Sequence, residues 1–215
     1  MLSERERKLL RFVAEQYLVT LPQLAYLAGR SERTARWLRT RWQRAGLIDA
    51  AKLLLDEPTV IWLTRPGLAA LGLPWKTVRP SYASIATLAA VVDTRFAARE
   101  RYPQARWLCR RVLAHDPPLR SPLPDALLSS GDATIAILAK PRGLRRRELE
   151  RQLLPLVARY EHVVLVLPKV SRHTREWLRE LDEHATVVGH RRDPKRVRLP
   201  PLPNLPMLGR MAISP

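Results

Sequence analysis

Sixteen residues near the N-terminus, SERTARWLRTRWQRAG from Ser31 to Gly46, hold five arginines against one glutamate. A guanidinium group donates paired hydrogen bonds to phosphate oxygens or to the major-groove edge of guanine, so arginine suits contacts with a nucleic acid. Ser31 is a favoured helix N-cap and Gly46 a favoured helix end, which predicts a helix between them. Its chemistry then depends on whether the helix gathers its arginines on one side.

A projection of this helix at about 100° per residue separates two faces. The residues expected to be buried are Ala35, Leu38, Trp42 and Ala45. The residues expected to face outward are Arg33, Arg36, Trp37, Thr40 and Arg44. Arg30 lies just before the helix, near N-terminal backbone N–H groups that also favour phosphate. The indole of Trp37 fits two roles equally well, a contact with a base or sugar and packing on a neighbouring part of the chain.

Two shorter capped segments precede this helix and must position it. Ser3 with Glu6 forms a capping box for a helix through about Tyr17, and Thr20 with Gln23 opens a short helix that a glycine can end. Three helices, with a tight glycine turn between the second and the third, predict a helix-turn-helix.

The residues that follow, LIDAAKLLLDEPTVIWLT, contain two short apolar runs around Pro58 and predict a β-hairpin, the wing of a winged helix. Its tip carries Asp56 and Glu57, which repel phosphate, so Lys52 at the base is the expected DNA contact. Residues 1–75 are therefore predicted to be a winged helix DNA-binding domain.

The charge balance extends beyond that domain. The chain carries 38 Lys and Arg against 20 Asp and Glu, a formal charge of +18. Residues 1–75 contribute 12 cations and 7 carboxylates (+5), and residues 76–215 contribute 26 and 13 (+13). Such an excess favours a polyanion as partner, because each neutralised phosphate releases counterions. An acidic protein partner and the coding bias of a GC-rich or thermophilic genome are the alternative explanations.

The composition also indicates where in the cell the protein is expected and whether it is expected to hold a metal or cofactor. Cys109 is the single cysteine, and the longest apolar runs fall far short of the roughly 20 residues of a membrane span. We therefore expect a cytoplasmic protein without membrane association. The five histidines are dispersed and no phosphate-binding glycine loop is present, so neither a metal nor another cofactor is expected.

Residues 76–199 are predicted to form a second domain, of α/β class with a mixed sheet. A helix over 81–101 is followed by four β-rich runs, DALLS, ATIAILAK, HVVLVLP and ATVVGH, with helices predicted between the later ones. Residues 200–215 form a proline-rich tail that should be extended, either against its own domain or on a partner. The overall class is α+β or α/β.

Two short motifs in this second domain resemble the restriction-endonuclease-like fold. Its signature is Pro-Asp, a spacer, and then an acid, any residue and lysine. By resemblance Asp125 matches the first carboxylate and Lys140 the lysine, but Leu138 stands at the second carboxylate position. Two carboxylates hold the divalent metal of such a site, so leucine there should abolish metal binding.

The whole arrangement resembles the replication-relaxation family of bacterial plasmids and conjugative elements, which pairs a winged helix with an endonuclease-like domain. The stretches that carry the resemblance are WLTRPGLAALG, a long helix, WLCRR and the Pro-Asp hairpin, within about residues 5–170. The tryptophan stretch of that family usually includes an acid, where this chain has Arg110 or Arg111. The resemblance therefore implies a nuclease fold that is catalytically inactive but still binds DNA.

These observations predict a double-stranded DNA-binding protein, sequence-specific or structure-specific, that acts in replication, maintenance or transcription control of a plasmid or mobile element. A second copy of the chain and a replication or transcription protein are further candidate partners. The alternatives are a metal-dependent nickase with a carboxylate relocated to Asp132, Glu148 or Glu150, and a winged helix scaffold for protein contacts. The predicted DNA-binding residues are Arg30, Arg33, Thr34, Arg36, Trp37, Thr40, Arg44, Lys52, Lys140, Arg145, Arg146 and Arg147.

Overall fold

The computed structural model describes residues 2–53, 55–115, 123–131, 133–140, 146–167, 172–180, 184–189, 199 and 201–202. The chain divides into two compact units, Met1–Val92 and Asp93–Pro215. Each unit combines helices with its own sheet, so the predicted mixture of α and β structure is confirmed. Among the described residues, no helix is both long enough and apolar enough to cross a membrane.

The first unit contains the predicted helix-turn-helix and the hairpin. Its antiparallel sheet has the strand order β1-β3-β2. The elements, in chain order, are α1 (Glu4–Glu15), β1 (Val19–Thr20), α2 (Leu21–Ala28), α3 (Glu32–Arg44), β2 (Ile48–Ala51), β3 (Val60–Leu63) and α4 (Arg65–Ala70).

Polar caps start these helices where the sequence predicts them. The capping boxes of Ser3 and Thr20 are both formed, and the Ser31 hydroxyl accepts a hydrogen bond from the third residue of α3. Gly29 ends α2 in the left-handed region at φ 59°, which a glycine adopts without steric cost. Helix α1 ends two residues earlier than predicted, because Tyr17 takes a positive φ of 65° and cannot continue the helix.

The boundary between the units lies later in the chain than the predicted one after residue 75. The helix α5 (Tyr82–Arg101) crosses it. In the first half of this helix, Ile85 joins an apolar cluster with Leu18 and Trp62, and the carbonyl of Ala89 accepts a hydrogen bond from Gln23 Nε2 at 2.8 Å. Proline and lysine between residues 72 and 80 suggested a linker, but helical periodicity alone does not show that the next helix packs back on the first unit.

The second unit is built on a five-stranded mixed sheet of order β4-β5-β6-β7-β8. The first three strands pair antiparallel, and the last three pair parallel. Its elements after α5 are β4 (Arg106–Cys109), α6 (Arg110–Leu113), β5 (Ala126–Ser130), β6 (Ala133–Ala139), α7 (Arg146–Val157), β7 (His162–Leu167), α8 (Arg172–Arg179) and β8 (Ala185–Gly189). The sequence predicted all of these strands except β4, whose edge position and exposed Arg106 weaken its apolar pattern.

The start of the predicted tail packs against its own unit. Leu202 is buried, and its N–H donates a hydrogen bond to the Tyr102 hydroxyl at 2.9 Å. Leu199, the last residue before the predicted tail, is buried as well. The first part of the tail thus packs against its own domain, which is one of the two possibilities that the sequence left open. The remainder of the predicted tail, from residue 203, lies outside the described residues.

Candidate nucleic-acid interface

Helix α3 has the two faces that its sequence predicts. Ala35, Leu38 and Trp42 are buried, while Arg33 on the opposite side is exposed. The prediction for Ala45 is wrong, since this residue is exposed. The helix ends at Arg44 and Ala45 is its C-cap, so the 100° projection no longer applies there.

The predicted contact residues of α3 differ in how freely their side chains can reach a ligand. Arg33, Arg36 and Arg44 are exposed, and Trp37 keeps 59% of its surface exposed. Arg36 lies 3.4 Å from a Glu32 oxygen, with both side chains more than half exposed. An exposed ion pair of this kind contributes little free energy, so Arg36 can exchange Glu32 for a phosphate.

Two predicted threonines of α3 have internal hydrogen-bond partners. The backbone N–H of Thr34 donates to the Ser31 hydroxyl, and the two hydroxyl oxygens lie 3.2 Å apart. The Thr40 hydroxyl accepts from Arg39 Nη2 at 3.3 Å. Both threonines are half-buried, which makes them weaker candidates for a DNA contact than the neighbouring arginines.

The turn before α3 and the base of the hairpin each add a predicted cation. Arg30 is exposed, and its backbone N–H donates to the Ala25 carbonyl at 3.0 Å, which fixes the turn. Lys52 is exposed directly after β2. At the tip, Leu55 is 84% exposed beside the exposed Asp56, so an apolar and an acidic side chain stand at the end of the wing.

A buried network beneath α3 was not predicted. Glu6 of α1 accepts a hydrogen bond from the Trp42 indole Nε1 at 3.0 Å, and it forms an ion pair with Arg41 at 3.0 Å. The hydroxyl and backbone N–H of Ser3 donate to the other oxygen of the same carboxylate, at 2.9 and 3.0 Å. Arg41 in turn lies over the ring of Trp37, 5.5 Å from its centroid.

This network keeps Glu6 ionised. Burial raises the pKa of Glu6, but the hydrogen bonds from Ser3 and Trp42 and the charge of Arg41 outweigh it, so the carboxyl titrates below its ordinary 4.5. The i, i+4 spacing of Trp37 and Arg41 is a signal that the sequence does contain. The pairing of Glu6 with Arg41 joins two helices, and no sequence spacing indicates it.

In the second unit, the positions that were predicted to belong to a degenerate nuclease motif lie next to one row of the sheet. Cys109 pairs with Ala126, and Ala126 pairs with Ile137. Arg110, Asp125 and Leu138 each lie one position beyond that row along their chain segments. The backbone connects Asp125 to both neighbouring segments, since the Arg110 N–H donates to the Asp125 carbonyl at 3.1 Å and the Asp125 N–H donates to the Ile137 carbonyl at 2.8 Å.

The Asp125 carboxylate is buried and already has partners. One oxygen lies 3.1 Å from Arg110 Nη1, and the other accepts the Ala139 N–H at 2.9 Å. Leu138 is buried in the apolar core of the unit and offers no ligand atom. Of the two arginines that stand where the resemblance expects an acid, Arg110 forms an ion pair with Asp125, and Arg111 is buried.

The other predicted cations of the second unit lie at or after the end of β6. The Lys140 side chain is half-buried, and the backbone N–H of this residue donates to the Val166 carbonyl at 2.8 Å. Arg146 is exposed, forms an ion pair with Glu150 at 2.7 Å and lies 5.7 Å from the Trp177 ring centroid. Arg147 is exposed, and the prediction for Arg145 falls outside the described residues. In the part of the chain that the structure describes, no three His, Cys, Asp or Glu side chains are grouped so that they could hold a metal ion.

Comparison with known proteins gives two similar solved structures. A crystal structure of ligand-free NadR is 20% identical over 33% of this chain and 52% of that chain, with a TM-score of 0.28. A crystal structure of NadR in complex with 4-hydroxyphenylacetate is 21% identical over 46% of this chain and 61% of that chain, with a TM-score of 0.30. The chain thus spans between about half and three fifths of the NadR chains that it matches. Neither a protein-family model nor a curated protein matches it.

Proposed function

We propose that this protein binds double-stranded DNA through the first unit, and that the second unit is a catalytically inactive, nuclease-like domain that adds contacts to the DNA backbone. Helix α3 would enter the major groove, where Arg33, Arg36 and Arg44 reach base edges or phosphates. Following the resemblance to the replication-relaxation family, we place the cellular role in replication, maintenance or transcription control of a plasmid or mobile element.

The observation that carries this proposal is the separation of charge and core on α3. Arg33, Arg36 and Arg44 are exposed, whereas Ala35 and Leu38 are buried. An ordinary amphipathic helix also has its charges opposite its core, but there both signs are usually mixed. Helix α3 instead carries five arginines and one glutamate, so the charge opposite its core is strongly positive. A duplex presents one negative charge for roughly every 1.7 Å of its axis, which matches such a row of cations.

We propose that the second unit is catalytically inactive because of the residues around Asp125. A nuclease of this type needs a divalent ion to activate water and to stabilise the leaving oxygen. Here the guanidinium of Arg110 lies against the carboxylate that would ligate the ion, and Leu138 cannot replace the missing ligand. A half-exposed arginine and the half-buried Lys140 make this end of the sheet suitable for a phosphate rather than for a metal.

The test of DNA binding is a salt titration with a short duplex. Binding of the full chain is measured by fluorescence anisotropy between 50 and 300 mM salt, and log affinity is plotted against log salt concentration. Each phosphate contact contributes roughly 0.9 to the slope, so Arg33→Ala and Arg36→Ala should each flatten it by about one unit if they touch phosphate. Arg11→Ala, an exposed arginine of α1, is the matched control and should leave the slope unchanged.

Two results would count against the proposal. A wild-type protein that binds no duplex at low salt would favour a protein-binding scaffold instead. Nicking of supercoiled plasmid in magnesium or manganese, lost in Asp125→Ala, would establish the metal-dependent nuclease that we consider the alternative.

A further inference from the structure

The indole of Trp37 is the most exposed aromatic group on α3. With 59% of its surface exposed, it stands among charged side chains on the outward face of the helix. More than half of this large apolar side chain therefore gains no free energy from burial in the first unit. An exposed indole on a cationic face is available to contact an apolar group of whatever that face binds.

This indole is held in place from one side. The guanidinium carbon of Arg41, one helical turn further on, lies 5.5 Å from its ring centroid, within the range of a cation–π interaction. Arg41 is fixed in turn by its 3.0 Å ion pair with Glu6, whose side chain is only 8% exposed. Glu6 is itself fixed by Ser3 and by the buried Trp42.

The chain of contacts assigns different roles to the arginines of α3. Arg33 and Arg44 have exposed side chains that can reach phosphate, and Arg36 has only an exposed i, i+4 pair. The charge of Arg41 is instead satisfied by a carboxylate buried beneath the helix. Arg41 therefore acts on Trp37, and it orients an apolar surface in the middle of a cationic face.

We propose that Trp37 is a specificity-determining residue which packs on the C5-methyl group of a thymine in the major groove, and that Arg41 and Glu6 are its positioning residues. This inference rests on the proposed DNA binding by α3. The thymine methyl is the apolar group that base edges present in the major groove, and apolar side chains discriminate thymine through it. A preoriented ring loses little conformational entropy on contact.

The test begins with selection of a preferred duplex from a randomised pool by the wild-type full chain. Each thymine of that duplex is then replaced by deoxyuridine, which removes only the methyl group. One replacement should weaken wild-type binding about fourfold, the effect of burying one methyl-sized group. In Trp37→Ala the same replacement should have no effect, so that the two changes are coupled in a double-mutant cycle.

The positioning role has its own readout. Arg41→Ala should lower the discrimination between thymine and uracil, and Arg41→Lys should restore part of it, because lysine can keep both the pair with Glu6 and the cation–π contact. Thermal melting of each variant separates this effect from loss of fold. Tyr82→Ala, which removes an aromatic group of similar exposure (60%) from α5, is the matched control and should leave discrimination unchanged.

The outcomes distinguish this inference from the proposed function. If Trp37→Ala binds the selected duplex with wild-type affinity and wild-type sensitivity to every deoxyuridine, the thymine contact is refuted while DNA binding stands. If the wild-type protein selects no duplex and shows no salt-dependent binding, the proposed function itself fails.

Discussion

Replacing Glu6 by glutamine tests the network that holds α1 and α3 together. The substitution keeps the shape of the side chain but removes its charge. Glu6 forms hydrogen bonds with the hydroxyl and backbone N–H of Ser3 and with the Trp42 indole, and an ion pair with Arg41. A hydrogen bond to a charged group contributes about 1 kcal/mol more than a neutral one, and the partly exposed pair contributes less than that.

The expected loss of stability at pH 7 is therefore about 2 kcal/mol. The amide nitrogen of glutamine is a donor, so it would face one of the donors that the carboxylate now accepts from. At least one of the three hydrogen bonds is therefore lost. For a chain of this length, about 2 kcal/mol corresponds to a fall in Tm of about 4 to 8 °C. The measurement is thermal unfolding of the full chain, followed by circular dichroism or calorimetry.

The pH dependence gives the sharper form of this prediction. The pKa of Glu6 is lowered in the folded protein, so its stabilising contribution is complete above the unfolded value near 4.5 and is lost as the pH falls through the folded pKa. The difference in Tm between the wild type and Glu6→Gln should thus stay constant from pH 7 down to just above that unfolded value, and should shrink as the pH is lowered further to 3. It should not reverse in sign within that range.

The matched control lies on the same helix. Glu4 forms an exposed i, i+4 ion pair with Lys8 at 2.7 Å, so Glu4→Gln should change Tm by less than about 2 °C. Equal effects of the two substitutions at pH 7 would refute the argument. So would a Glu6→Gln difference that stays the same at pH 3, because it would then not arise from the charge.

Three further predictions concern other parts of the chain. Gly67→Ala should destabilise the protein by about 2 kcal/mol or more in denaturant titration, because the added methyl group would overlap the backbone carbonyl of Leu47. Asp56→Lys should raise duplex affinity and steepen its salt dependence, because it replaces a carboxylate that repels phosphate at the wing tip with a cation. Arg110→Ala combined with Leu138→Glu should create measurable manganese binding by calorimetry, whereas Leu138→Glu alone should bind none, since the arginine still occupies the carboxylate.

Features that depend on neighbouring residues in the chain were predictable from the sequence. The caps at Ser3, Thr20 and Ser31 and the buried stripe of Ala35 and Leu38 follow from local hydrogen bonding and helical geometry, and the structure confirms them. The strands β5 to β8 could also be predicted from the sequence, because buried strands are nearly continuous apolar runs.

Features that depend on pairing across the chain were not predictable. The edge strand β4 has an exposed arginine at its start, and its partner lies beyond residue 122 in the sequence, so its apolar signal is weak. The contact between Glu6 and Arg41 depends on the crossing of two helices. The extension of the first unit to Val92 depends on which side of α5 packs on the hairpin.

The ion pair of Arg110 and Asp125 joins a motif that is visible in the sequence to a contact that only the structure shows. The sequence showed two acids missing from a nuclease-like motif but not why the remaining one should persist at a buried position. An unpaired buried carboxylate is costly, and a metal would offset that cost in a metal-dependent nuclease. Here a guanidinium 3.1 Å away and a backbone N–H 2.9 Å away stabilise the charge without a metal. These two partners account for the burial of Asp125 through interactions within the chain itself.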